Sequence, residues 1–394
     1  MIENSDDASR FAEIASLLRS TDPTDLSKAR ALTRGVLDEI TSIIFEEFFR
    51  RQHLMGAIAS SKREGEPILQ LQREFEVISS AQQKATEAWE DANYAAMLMW
   101  LITASAKEKQ RQILNRDSVF VPEVIDPLIL RNNAISLRNA AAASYEDYWS
   151  GFDSTKLSRI HEINQIKLLA RGMSNKWHAV TLQSADWTIG RVLVENWFTE
   201  VIWFDISEEM VRVAQEKKSD NESYEVNNLD WSIPLGDEST DLVVADFWAA
   251  SELSDNLITE VSRILRPWGK AYLSYYNKEA FAHTWWQPWQ TSVEAVLNPL
   301  SDVLEVPLIN KNDWTCKSFK IYARGRTHSE IESESANLGL IINSVSCFPL
   351  LFTMMPPAFF TDEKRTREAM EYDESHGKIP PYKWYYLNVV IQKP

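Results

Sequence analysis

The stretch EVIWFDISEEMVRVAQEK, Glu200–Lys217, decides the fold. Its first five residues read as a buried strand, and the strand ends at Asp205. Ser207 is placed to cap a following helix, and Glu208 and Glu209 suit the positive end of that helix. In open parallel sheets an acid at the tip of the second strand is where a ribose is held, because one carboxylate accepts from both hydroxyls. The plainer alternative is an acid that starts a loop.

The same texture extends to both sides. Strands read at HAVTL (178–182), SYEVN (223–227), DLVVADF (241–247) and KAYLSYY (270–276), with amphipathic helices near 188–197, 207–218 and 254–266. That alternation implies right-handed crossovers and a doubly wound, mostly parallel sheet. The end differs. IINSVSCF (341–348) and YYLNVVIQK (385–393) are strands separated only by what reads as a long loop, which suits an antiparallel final strand.

The 394 residues suffice for two domains. A net charge of −16 repels phosphate backbones and anionic lipid, so neither nucleic acid nor membrane is an expected partner. No apolar run reaches the length of a membrane span. The polar, acidic start MIENSDDASR does not read as a signal peptide, so none is expected, and two isolated cysteines, Cys316 and Cys347, suit a reducing cytoplasm. The six histidines show no metal-ligand spacing, so no metal is expected.

Residues 1–140 read as an all-helical domain and 141–394 as the α/β domain. From Ile68 to Arg116 there is no Gly or Pro. There Leu71, Phe75, Ile78, Ala85, Trp89, Ala92, Ala96, Met99 and Ala106 fall on a three-four spacing, interrupted by Gln82 and Thr103. A long helix in a bundle explains this seam. The rival is a dimerisation helix, which would make the protein a homodimer through its N-terminal helices.

Three motifs follow one another: DISEEM (205–210), LDWSIPL (229–235) and EVSRILRPWG (260–269). In this order they resemble the class I S-adenosylmethionine-dependent methyltransferases over about residues 145–394. The resemblance implies a seven-stranded, Rossmann-like sheet and S-adenosylmethionine as cofactor. It implies that Asp205 holds the ribose hydroxyls and Ile206 flanks the adenine. Asp230 and Trp231 would meet the adenine edge, although Asp230 lies one residue closer to the proline than the usual pattern. Asp246 and Phe247 would line the methionine half.

VTLQSADWTIGR (180–191) departs from that family. Where it has an acid and three alternating glycines, this chain has Thr181, Gln183, Ala185 and Trp187. Glycines there let the backbone turn tightly and approach the ligand. Trp187 is expected in or beside the cofactor's space, so the loop of Gln183 and Trp187 is remodelled.

An aromatic-rich insertion, 278–328, follows the fifth strand. It carries Trp285, Trp286 and Trp289 and is expected, with the N-terminal residues, to cover the carboxyl edge of the sheet. Tyr276, Asn277 and His283 are the candidates for polar chemistry, His283 as a base near neutral pH. A histidine beside aromatics is more often simply packed. Three functions are compatible with these features: a small-molecule methyltransferase with a remodelled cofactor loop, a catalytically retired pseudo-methyltransferase serving as scaffold or partner subunit, and a same-fold cyclase or lyase.

Overall fold

The computed structural model describes residues 5–62, 66, 68, 71–88, 92–142, 153–183, 187–229, 232–282, 295–310, 315–348, 363–378 and 385–394. The contacts divide the chain into two compact units, 1–64 with 108–116, and 65–107 with 117–394.

In the first unit, α1 (Ser5–Leu18) and α2 (Pro23–Ser61) form a helical hairpin. Asp22 caps α2 by accepting from Thr24 N, and Pro23 opens it. Arg10–Glu39 and Lys28–Glu13 ion pairs, at 2.6 and 2.9 Å, tie the two helices.

The second unit begins with α3 (Leu71–Glu87) and most of α4 (Ala92–Ile113). The single helix expected across 68–116 is thus described as two, and residues 89–91 lie outside the described residues. A buried pair, Lys107 Nζ–Glu74 at 3.1 Å, belongs to this part. Next come α5 (Pro127–Ala141), capped by Asp126, and α6 (Asp153–Arg171). The expected domain boundary at 140 differs from the observed division. For residues 117–140 the reason is α5, which packs with the sheet unit through β8 (Thr315–Tyr322) and the helix Glu208–Gln215, and α3 also meets β8.

The main sheet contains β1 (His178–Leu182), β2 (Glu200–Asp205), β3 (Glu222–Val226), β4 (Thr240–Ala245), β5 (Leu265–Tyr276), β9 (Ile341–Phe348) and β10 (Tyr386–Gln392). Its order is β3-β2-β1-β4-β5-β10-β9. The first five strands run parallel, and β10 is antiparallel to both its neighbours, as the sequence texture led us to expect. The crossover helices are α7 (Thr188–Glu195), α8 (Glu208–Gln215), a short α9 (Ala249–Glu252) and α10 (Leu257–Ile264). The predicted cap forms: Ser207 Oγ accepts from Met210 N at 3.1 Å.

Two elements were not expected. After α11 (Lys278–Ala282), the insertion folds as a three-stranded antiparallel sheet of β6 (Val296–Asn298), β7 (Val303–Asn310) and β8. Beyond α12 (His328–Asn337), the connection between β9 and β10 holds α13 (Glu363–His376), which corrects its reading as a bare loop. No described helix is long and apolar enough to cross a membrane.

Candidate functional site

The tips of β1, β2 and β4 meet beneath α5. Asp205, fully buried, ends β2, and its Oδ1 accepts from Ser207 N at 2.8 Å. From α5, Arg138 Nη1 lies 3.6 Å from Asp205 Oδ2. Arg138 Nη2 donates to Glu252 Oε2 at 2.6 Å and to Gln183 Oε1 at 3.3 Å. The next residue of the helix also binds: Asn139 Oδ1 accepts from Ser207 Oγ at 2.6 Å. Burial pushes the Asp205 carboxyl above its usual range, and the Arg138 guanidinium pulls it back. Among the described residues no hydrogen-bond donor reaches the buried Asp205 Oδ2, because the guanidinium is near enough to pair but not to bond.

Gln183, at the first glycine place, has φ of 50°, the left-handed backbone a glycine would supply. Its N–H donates to Phe204 O at 2.8 Å. Trp187 is buried among Trp203, Tyr224, Met210, Val211 and Ala214, with Ala141 and Ala142 of α5 alongside. Lys217 Nζ sits 3.5 Å over its ring. The indole is therefore packed against β2, β3 and α8. Ala185 lies outside the described residues, as do Asp230 and Trp231. Ile206 is half-buried beside Asp205.

The β4 tip is unusual in its backbone. Phe247 and Trp248 have φ of 50° and 61°, two successive left-handed residues without a glycine. Phe247 N donates to Glu162 Oε2 of α6 at 2.5 Å, and Trp248 N donates to Ser274 Oγ at 3.1 Å. Trp248 Nε1 donates to Glu252 Oε1 at 3.1 Å. Glu252 thus carries the indole on one oxygen and Arg138 on the other. Asp246 is buried close to Glu162, whose carboxyl is pushed up to about 8 by burial first and by Asp246 second.

Tyr276 and Asn277 are completely buried. Tyr276 packs with Trp248, Phe281, Tyr385 and Tyr386, and Asn277 Nδ2 donates to Cys347 Sγ at 3.7 Å. Their backbone groups bind Ser251, Tyr385 and Arg326, so both serve the strand's end from within the core. His283, Trp285, Trp286 and Trp289 lie outside the described residues. The structure therefore brings Asp205 and Gln183 together, sets Asp246 and Phe247 beside Glu162, and leaves Tyr276 and Asn277 in the aromatic core. Arg138, Glu252 and Glu162 had no motif to mark them. Among the described residues no group of three or more His, Cys, Asp or Glu side chains could hold a metal ion.

Residues 189–273 match the family model described as a methyltransferase domain. No curated protein matches the chain. Similar solved structures include an S-adenosylmethionine dependent methyltransferase from Mesorhizobium loti, 19% identical over 60% of this chain and 98% of that one, with a TM-score of 0.39. Another is the 1,6-didemethyltoxoflavin-N1-methyltransferase of Burkholderia thailandensis, with 1,6-didemethyltoxoflavin and S-adenosylhomocysteine bound. It is 10% identical over 70% of this chain and 93% of that one, with a TM-score of 0.39.

Proposed function

We propose that residues 145–394, which carry the methyltransferase-domain match over 189–273 and the seven-stranded sheet of that class, are a methyltransferase acting on a small molecule, with its S-adenosylmethionine crevice covered by α5. The observation that carries this reading is Asp205 Oδ2 at the tip of β2, a buried acceptor with no donor among the described residues. A buried polar atom normally has a partner, and a ribose hydroxyl is the donor this one lacks. The left-handed backbone at Gln183 is the conformation the cofactor loop needs, so these residues fit the group once Arg138 withdraws.

When bound, the cofactor supplies an electrophilic methyl group to a nucleophile on the acceptor. This chain's residues bind and orient. Asp205 would accept from the ribose, Ile206 would flank the base, and Asp246 and Phe247 would line the other half of the crevice. Arg138 and α5 keep water from the strand tips until ligand enters, which raises the strength of every polar contact there.

Calorimetry on the full chain with S-adenosylmethionine and S-adenosylhomocysteine tests this. Wild type should bind weakly. Arg138→Gln should bind at least about tenfold tighter, and Asp205→Asn added to it should erase the gain, since a charged hydrogen bond is worth roughly 1.5–3 kcal/mol. A second reading, a catalytically retired fold, draws on the burial of Trp187 and on the several partners that hold α5 in place. It expects no binding by either protein at millimolar ligand, and that outcome would decide for it.

A further inference from the structure

The tip of β4 is held from behind by a carboxyl group that lies outside every motif. Two consecutive bulky residues in left-handed backbone, Phe247 and Trp248, persist only where their surroundings over-determine them. Glu162 and Ser274 provide that hold. Glu162 Oε2 accepts from Phe247 N at 2.5 Å, and Glu162 Oε1 accepts from Ser274 Oγ at 2.7 Å. The same serine oxygen accepts from Trp248 N at 3.1 Å, so its single proton goes to Glu162. Both groups are sealed from water, Glu162 being 2% and Ser274 0% exposed.

Register explains why the pieces meet. Ala245 pairs with Leu273, and Ser274 with Asn388, so Asp246, Ser274 and Asn388 form one row across β4, β5 and β10. The α6 helix lowers Glu162 onto that row. Phe247 and Trp248 then rest against each other at 4.2 Å, and Trp248 lies 5.3 Å from Tyr386, nearly parallel. The far end of the indole binds Glu252, whose other oxygen seats Arg138 at 2.6 Å.

We infer that Glu162, with Ser274 as its relay, is the positioning residue of the β4 tip: it fixes the Phe247–Trp248 turn and, through Trp248 and Glu252, sets the seat of Arg138. The inference rests on the methyltransferase reading only in giving that tip a ligand to face. Glu162 itself touches no ligand in this account. It acts through two backbone amides and one indole.

Hydrogen–deuterium exchange on the full chain, followed by peptide mass spectrometry, tests it. Glu162→Ala should speed exchange of the peptide spanning 246–252 at least about tenfold and leave the β1 peptide at 178–182 unchanged. Glu162→Gln should exchange there no more than about twofold faster than wild type, because its amide oxygen still accepts from Phe247 N and its NH2 group still reaches Ser274. Unchanged exchange at 246–252 in Glu162→Ala would overturn the inference, as would equal loosening in Glu162→Gln. Should Glu162→Ala loosen the whole sheet, Ser274→Ala decides: local loosening at Trp248 supports the relay, and wild-type exchange refutes it. The ligand titration is separate. If neither wild type nor Arg138→Gln binds S-adenosylhomocysteine, the function reading fails while the exchange result still judges Glu162.

Discussion

Arg138 serves two acids, Asp205 and Glu252, from a position that is 8% exposed. Buried charge is costly unless paired, so the guanidinium is structural as well as obstructive. Arg138→Gln should therefore lower stability even while it opens the crevice. Glu162 makes a sharper case. Its folded pKa of about 8 lies above the ordinary value of 4.5, so the folded state holds a proton that the unfolded chain releases. The stability tied to that proton is complete below about pH 4.5 and is lost as pH rises to about 8. Glu162→Gln, neutral throughout, should gain on wild type by up to about 3–5 kcal/mol between those limits. Urea unfolding at pH 5 and pH 8 checks this, and an identical difference at both would refute it. His161, held down to about 4 by burial and by Lys378, opposes the trend on the acid side, since its contribution fades as pH falls from 6.5. Trp187 tests the glycine loop differently. As a packed side chain it should cost about 3–5 kcal/mol when cut to Ala, read in the same unfolding experiment. An unchanged midpoint would show an idle indole.

Among the elements, most of the parallel strands were legible because they are short apolar runs alternating with amphipathic helices, one of them capped by Ser207. The antiparallel place of β10 followed from the missing crossover pattern before it. The three-stranded sheet was not legible, because β7 contains Pro307 and β8, TCKSFKIY, is half polar. Helix α13 escaped for a related reason: of its described side chains only Ala369 and Asp373 are buried, too few to print a periodic stripe. What anchors α13 is its end. Gly377 N donates to Asp373 O and Gly377 O accepts from Cys347 N, each at 2.8 Å, which draws the glycine tight against β9. A Cβ there would overlap Cys347 O. Gly377→Ala should thus push α13 off the sheet and cost at least about 1–3 kcal/mol, visible as a lower melting temperature. Helix α5 was readable as a helix, but its role was not, since Arg138 is conspicuous only once the fold sets it beside Asp205.

The two compact units differ in how well they hide apolar surface. Leu37, Ile44, Phe45 and Phe49 of α2 are each more than half exposed, a run that monomeric proteins seldom leave bare. In the larger unit the consequence of α5 reaches beyond shape. On the proposed function, Arg138 is a competitor tethered to its own binding site. A ligand must displace it, so the apparent dissociation constant rises by the ratio of covered to open forms. With 99 covered molecules for each open one, a micromolar ligand would read as about 100 micromolar. On that reading a screen run at dilute ligand would score this crevice as empty, although millimolar S-adenosylmethionine would fill it.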